Sequence, residues 1–529
     1  MEKVNSNYSI ESLDEIELNE IYNVDCIELI KKMIKQKILV DAIITDPPYN
    51  ISTKNNFKTI GRAGIDFGEW DKNFDQKKWL KNIYKIVRPG GTVIIFNDWK
   101  NMGDIAKELT KNGFIVKDLI RWIKPAPMPR NTLRRYVNDA EYAILAIKPG
   151  GKWTFNKPED IAYLRPIING GVSNGKNRIH PTQKSSQAIK QLIERHTVPG
   201  DLIFDPFSGS GEISLNANEM GRLYLGTEIN KIYWKKSKTR INDSLIKPAI
   251  NHLGNKYRMI SKLNSILNIK GIDNFVDVFA GSCVVSASFK TAEKYWINDK
   301  DKNLSNIITY LLTTSKNTII GQLEDIIYKY ELHVLPYKEG YLKLRENYNN
   351  SNHEDVRKLL VLVLFGFNQQ IRFNKNNDFN IPPGKTQWTE YQKEKIFKFV
   401  SAFEGRDKEI HDWDFEEFVE HVYANTDKDK TIYYFDPPYL LTIATYNNTW
   451  VIEEEKRLIK LLKKMDDDGV KWILSNGLDS KGKSNIPLKE FIKNNKKLKL
   501  IEINSNYSNS NYQRKKYIEN DREIILKNF

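Results

Sequence analysis

The chain has 529 residues, and its 82 Lys plus Arg against 67 Asp plus Glu give a formal net charge of +15. Hydrophobic residues at 40% and aromatics at 11% are ample for folded cores, which excludes a disordered chain, and a length of 529 residues calls for two to four domains. The longest strongly apolar run, residues 359–367, is too short for a bilayer span, the stretch 1–18 has no secretory apolar core, and two cysteines, Cys26 and Cys283, exclude a disulfide framework or a cysteine zinc site. These features lead us to expect a cytoplasmic chain with no membrane segment and a polyanionic partner.

In chain order, residues 41–45 form an apolar β-type run that leads into Asp46-Pro47-Pro48-Tyr49. Residues 79–87 predict a helix closed by Arg88-Pro89-Gly90-Gly91, residues 92–96 a strand, residues 102–112 a helix ending at Gly113, and residues 114–123 a strand. Residues 125–177 lack a βαβ rhythm and read as an insertion. A strand, a glycine loop and a helix follow from Leu202 through Asp205-Pro206-Phe207-Ser208-Gly209-Ser210-Gly211. The polar, lysine-rich stretch 235–250, containing Pro248, predicts a boundary between domains 1–244 and 245–529.

The second domain opens with another strand and glycine loop, from Phe275 through Asp277 to Cys283. Residues 303–400 read as a second insertion. The run 431–435 then leads into Asp436-Pro437-Pro438-Tyr439, followed by a helix over 452–465 closed near Gly469 and a strand over 470–474. Strands alternating with helices of 10–15 residues predict an α/β fold with two doubly wound, Rossmann-like parallel sheets.

From typical composition, an Asp-Pro-Pro-Tyr quartet arises by chance in only a few of about a thousand such chains. Two copies, each directly after a β-run, resemble the S-adenosylmethionine-dependent amino-methyltransferases of DNA, which methylate N6 of adenine or N4 of cytosine. An exocyclic amino group is a poor nucleophile because its lone pair is delocalised into the ring. An ionised carboxylate and a backbone carbonyl that accept its two N–H bonds favour a pyramidal nitrogen with an available lone pair. The resemblance implies that Asp46, Pro47, Pro48 and Tyr49 form one active site and Asp436, Pro437, Pro438 and Tyr439 another. In each, Asp and the first Pro would supply the acceptors, and Tyr would stack on a base flipped from the duplex. No metal is required.

The cofactor is expected to be S-adenosyl-L-methionine. In the first half the resemblance implies a cofactor loop at Asp205, Pro206, Phe207, Gly209 and Gly211, a ribose acid at Glu228, and an adenine contact at Asp25. Thr182 and Lys184 would hold the cofactor carboxylate. Glu212 stands where the family usually has Thr or Ser, at a helix start where an acid is favourable. In the second half Gly254 and Lys256 resemble the Gly-x-Lys segment, Asp277, Phe279 and Gly281 the loop, Asp299 the ribose acid, and Asp414 the adenine contact. There Val278 replaces Pro and Cys283 replaces Gly. If that position needs a positive φ, Cys283 costs stability and weakens cofactor binding.

The catalytic quartet precedes the glycine loop in the first half, the β-subclass order, and follows it in the second, the α or Dam-like order. The two halves would therefore be circular permutations of one fold, each with an insert that reads DNA. In the first half the insert offers Arg121, Lys124, Arg130, Arg134 and Arg135, and it resembles adenine enzymes of type IIS restriction systems. In the second half it offers Gln369, Gln370, Arg372, Asn374 and Lys385. Arg, Asn and Gln suit bidentate contacts with guanine and adenine edges, a solvated basic loop would only neutralise phosphates, and both roles are expected here. Arg514-Lys515-Lys516 reads as a phosphate contact or a bare surface cluster.

The leading expectation is a bifunctional DNA adenine methyltransferase acting on double-stranded DNA. Its modules would modify opposite strands of an asymmetric site and protect host DNA beside a separate restriction endonuclease. The alternatives are one active enzyme with the other half as a DNA-binding module, N4-cytosine methylation by one half, or an RNA or protein methyltransferase. Families of that last kind usually carry Asn in place of Asp.

Overall fold

The computed structural model describes residues 15–50, 74–125, 127, 133, 136–159, 161–171, 183–251, 256–267, 269–351, 353–441, 450–480, 482–503 and 522–529. The chain divides into two units, residues 1–245 with 261–270, and residues 246–260 with 271–529.

The first unit is built on strands β1 (Glu20–Tyr22), β2 (Val40–Thr45), β3 (Val87–Asn97), β4 (Ile115–Ile123), β5 (Ala140–Ile147), β6 (Ile167–Asn169), β7 (Leu202–Asp205) and β8 (Leu223–Thr227). They form one sheet in the order β1-β8-β7-β2-β3-β5-β4-β6. The strands from β1 to β3 are parallel, whereas β5 runs antiparallel to both its neighbours. Because strand side chains alternate, the sheet buries two layers. Ile43, Val93 and Ile95 pack on helices Cys26–Lys35, Gln76–Ile86 and Met102–Lys111. Ala42, Ile44 and Ile94 pack on helices Ser186–His196 and Glu212–Glu219. The central strands β2, β7 and β8 and most of β3 are thus buried on both sides, as a covered parallel sheet requires.

The second unit carries β9 (Asn274–Asp277), β10 (Lys294–Asn298), β11 (Asp407–His411), β12 (Thr431–Phe435), β13 (Lys471–Ser480), β14 (Lys483–Ser484), β15 (Lys499–Ile503) and β16 (Arg522–Lys527). Its order is β11-β10-β9-β12-β13-β16-β15, with β14 paired to β13. This spatial sequence matches β1-β8-β7-β2-β3-β5-β4 of the first unit, with β16 antiparallel in the place of β5. The two sheets share one layout threaded in two chain orders.

Two sequence expectations change. First, Arg88-Pro89-Gly90-Gly91 lies inside β3, because the helix already ends at Ile86. The Gly90 N–H donates to the Lys148 carbonyl (2.8 Å) and the Lys148 N–H to the Gly91 carbonyl (2.9 Å), which draws the turn into the sheet. Second, the stretch 125–177 is more than an insertion, since it supplies β5 and β6. A lone antiparallel strand has no crossover helix and so leaves no βαβ rhythm to read. The second expected insertion, 303–400, is helical, with helices Lys302–Thr313, Lys316–Lys329, Lys338–Asn349, Val356–Phe365 and Glu390–Ser401. Residues 359–365 of the long apolar run are buried in the fourth of these, and Phe367 beyond its end is exposed. Among the described residues no helix is long and apolar enough to cross a membrane.

Candidate active sites

In the first unit β2 and β7 are parallel neighbours, and their carboxyl ends present the Asp46–Tyr49 quartet and the glycine loop side by side. The Thr45 hydroxyl donates to Asp205 Oδ1 across this seam at 2.8 Å. Two amides hold the quartet's backbone: Gln76 Nε2 donates to the Pro48 carbonyl (2.7 Å) and Asn101 Nδ2 to the Tyr49 carbonyl (2.8 Å). Proline fixes φ at two successive positions, so the loop is rigid before any ligand arrives.

Asp46 stands in a chain of alternating charge. Its Oδ2 lies 2.7 Å from Lys184 Nζ, and the same ammonium is 2.9 Å from Glu141 Oε2, whose Oε1 is 2.6 Å from Lys124 Nζ. The Tyr49 hydroxyl donates to Asp46 Oδ1 at 2.6 Å, and Lys184 Nζ donates to the Tyr49 oxygen at 3.0 Å. Burial raises the Asp46 pKa, with Glu141 adding to the rise and Lys184 opposing it. Burial alone would raise Glu141 as well, but Lys184 and Lys124 bring it down to about 2.

Around the glycine loop, Gly209 and Gly211 take φ values of +48° and +70°, and Gly211 caps helix Glu212–Glu219. Glu228 follows β8, accepting from the Gly209 N–H (2.8 Å) and the Asn230 N–H (2.7 Å). Asn23 Nδ2 donates to the Glu228 carbonyl at 2.7 Å, which ties the Asp25 turn to that acid. Asp25 caps helix Cys26–Lys35 through the Ile27 N–H. Phe207 packs edge-on against Phe74 and Trp79, 5.3 Å between centroids in each case. Burial pushes Asp205 up to about 7, with Asp46 and Glu228 adding to it. Glu212 is buried, accepting from Gln183 Nε2 (3.0 Å) and pairing with Arg240 (2.8 Å), so this acid braces the segment that carries Lys184.

The second unit repeats the arrangement. β9 and β12 are parallel neighbours that end at Asp277 and Phe435, the latter next to Asp436. Lys256 Nζ is 2.9 Å from Asp436 Oδ1 and 3.7 Å from Glu523 Oε1, and the Tyr439 hydroxyl donates to Glu523 Oε1 at 2.7 Å. Burial, then the nearby Glu523, pushes Asp436 up to about 6 against the pull of Lys256. The Gly281 N–H donates to Asp299 Oδ2 at 2.8 Å, as Gly209 does to Glu228, and the Asp301 N–H donates to Asp299 Oδ1 at 2.9 Å. Burial pushes Asp277 up to about 7, with Asp436 and Asp299 adding to it. Phe279 packs on Phe415 and Trp450. Asp414 caps helix Phe415–Asn425, as Asp25 caps its own helix, and pairs with Lys300 (3.0 Å) and Arg457 (2.8 Å).

The two departures in this loop have structural counterparts. Cys283 is buried and takes φ +57° where Gly211 takes +70°, so the position does demand a left-handed backbone from a residue with a Cβ. The Val278 N–H donates to the Tyr434 carbonyl at 3.0 Å, a bond that proline at this place would lack.

Among the expected DNA contacts, Arg121 on β4, Arg372 and Lys385 are exposed. Lys124 is engaged by Glu141 in the active-site cluster. Gln369 is buried, and its Oε1 accepts the Asn251 N–H at 2.9 Å, so it anchors the chain ahead of Lys256. Asn374 accepts the Asn376 and Asp378 N–H groups and thereby builds a turn. Gln370 is half-buried. Arg130, Arg134, Arg135, Thr182, Gly254 and the basic triplet at Arg514 lie outside the described residues. Sequence reading missed Glu141 and Glu523. A signal existed, since Asn138-Asp139-Ala140-Glu141 and Asn520-Asp521-Arg522-Glu523 share Asn-Asp-x-Glu before an apolar strand. Among the described residues Glu409, His411 and His421 bring metal-ligating atoms within 4.8 Å of one another, with Lys294 2.8 Å from the Glu409 carboxylate as its counter-charge.

The residues present fit the expected cofactor. Each loop has glycine backbone free to approach a ligand, a carboxylate with two acceptor oxygens one strand away, and a neighbouring acid at a helix start. Residues 40–239 match the family described as DNA methylase, and residues 252–519 match the D12 class N6 adenine-specific DNA methyltransferases. Over 529 aligned residues the chain is 30% identical to modification methylase StsI of Streptococcus sanguinis, covering 98% of this chain and 70% of that protein. It is 29% identical to type II methyltransferase M.FokI of Planomicrobium okeanokoites over 56% of this chain and 45% of that one. A crystal structure of the M1.HpyAVI–SAM complex is 40% identical, covers 42% of this chain and 98% of that one, and superposes with a TM-score of 0.36. The chain therefore belongs to the S-adenosylmethionine-dependent DNA methyltransferases, the modification methylases, as two methylase modules in one polypeptide, the second of the D12 adenine-N6 class.

Proposed function

We propose that both modules, bounded near residues 244 and 245, methylate N6 of adenine on opposite strands of one asymmetric double-stranded DNA site. The observation that carries this reading is the pair of separately assembled sites, each with its own quartet, buried lysine, glycine loop and ribose-type acid. An asymmetric site presents a different sequence on each strand, so it needs two dissimilar readers. Asp46 with the Pro47 carbonyl, and Asp436 with the Pro437 carbonyl, accept the amino N–H bonds of the flipped base. Tyr49 and Tyr439 offer rings for stacking, which frees their hydroxyls from the carboxylates. Glu228 and Asp299 take the ribose hydroxyls, and Asp25 and Asp414 the adenine of the cofactor. When bound, the cofactor supplies a methyl group on a sulfonium. Arg121 and Arg372 face the DNA. The enzyme works in the bacterial cytoplasm and protects the host genome against a separate endonuclease.

Single-molecule sequencing of DNA from cells expressing the chain reads modified base, motif and strand together. Asp46→Ala is expected to abolish methylation on one strand and Asp436→Ala on the other. If Asp436→Ala leaves both strands fully methylated, the second module is a binding domain and the two-enzyme reading is wrong.

A further inference from the structure

The resemblance assigns Lys184 to the carboxylate of the cofactor and Lys256 to the cofactor-binding Gly-x-Lys segment. The geometry points to a different partner: we infer that each lysine is the counter-ion of the catalytic aspartate, and that Glu141 and Glu523 are positioning residues that share its charge. Lys184 and Lys256 are both buried, each within 2.9 Å of its quartet's aspartate. Both also lie over the quartet's tyrosine ring, at 5.2 Å and 4.8 Å from the centroid.

The glutamates come from equivalent places. Each is the second residue of the antiparallel strand, β5 or β16, that follows β3 or β13 in the sheet. The same four side chains meet at the same sheet position in two modules whose chain orders differ. In the first module the aspartate, lysine and glutamate lie far apart in sequence, at 46, 184 and 141. In the second they are at 436, 256 and 523, in another order. Shared ancestry of one local segment cannot produce this meeting, because the three residues arrive on three separate elements.

The electrostatics give the arrangement a purpose. A carboxyl accepts an N–H bond most strongly when ionised, yet burial favours its neutral form. A lysine 2.7 Å away restores the charged form. A lysine with no second acid would keep both charge and hydrogen bonds on the aspartate and occupy lone pairs that the amino group needs. The glutamate draws part of the ammonium away and leaves the aspartate both charged and available. Among the described residues of the first module the groups facing Asp46 are Lys184, Glu141, Tyr49 and Asp205, with Lys124 behind Glu141. In the second, Lys256, Glu523, Tyr439, Tyr434 and Asp277 face Asp436.

This inference rests on the proposed catalytic role of the aspartates, and its test separates the two ideas. The full chain is assayed in single turnover at saturating cofactor and DNA, scoring each strand from pH 5 to 9, with cofactor Kd measured separately by titration. On the strand whose methylation Asp46→Ala abolishes, Lys184→Met is expected to lower the rate at pH 7 at least tenfold. It is also expected to move the acidic limb to higher pH, with Lys184→Arg recovering part of the loss. Glu141→Gln is expected to move the limb the opposite way, to lower pH, because it removes a like charge from Asp46. Loss of packing alone would not shift the limb in opposite directions. Retained cofactor binding by the substituted module and an unchanged unfolding midpoint report that each variant is folded, methylation of the other strand serves as the internal rate reference, and Lys256→Met with Glu523→Gln repeats the test in the second module. An acidic limb unmoved by Lys184→Met at saturating cofactor, with only Kd raised, overturns the inference in favour of a cofactor role. If Asp46→Ala leaves both strands methylated, the catalytic reading itself fails.

Discussion

Burial sets the chemistry of individual residues here more than proximity in sequence does. Asp436 is the clearest case, a carboxyl pushed up to about 6 by its dry surroundings and by Glu523. The ionised form is the stronger acceptor and offers both oxygens to the amino N–H bonds, so methylation by the second module is expected to fall as pH drops through about 6. The check is the per-strand kcat/KM against pH, which reports groups of the free enzyme; a rate flat down to pH 5 would show that Asp436 is not the titrating group. Both Asp quartets, both glycine loops and both ribose-type acids could be read directly from the chain, because each is a local string with a strand before it. Glu141 and Glu523 could not be placed that way. Their meaning depends on a lysine 43 positions away in one case, from 141 to 184, and 267 in the other, from 256 to 523. Gln369 shows the reverse error: a side chain suited to base reading is buried as a backbone anchor.

At the scale of elements, periodicity located the helices over 79–87, 102–112 and 452–465, while the helices of 303–400, the turn at 88–91 and the strand β5 escaped it. Residues 88–91 look like a helix stop because Pro and Gly end helices, yet they belong to β3. Gly90 has φ +77°, and a Cβ there would lie 2.3 Å from the Lys152 carbonyl oxygen. Gly90→Ala should therefore destabilise the first module by about 3 kcal/mol, from the left-handed backbone plus the overlap. Chemical denaturation followed by tryptophan fluorescence measures this, and a midpoint unchanged from the wild type would refute it. β5 shows why an insertion is hard to recognise. It adds the strand that carries Glu141, but with no crossover helix it has no βαβ signature.

For the whole molecule, the net charge of +15 was the first clue and is the least specific one. If it meets DNA phosphates over a site read by two modules, duplex affinity should fall about a thousandfold between 50 and 200 mM salt, as release of about six counterions predicts. Fluorescence anisotropy at graded salt tests this, and a nearly flat dependence would make the excess charge a solvated surface. The sequence by itself determined the number of modules, their permuted order and the two Asp-Pro-Pro-Tyr strings, because these are written in contiguous residues and strand–loop periodicity. Only the tertiary structure decided which lysine and which glutamate stand beside each aspartate. Those contacts join elements distant along the chain, and the free energy that selects them is the burial of charge, which no local pattern records.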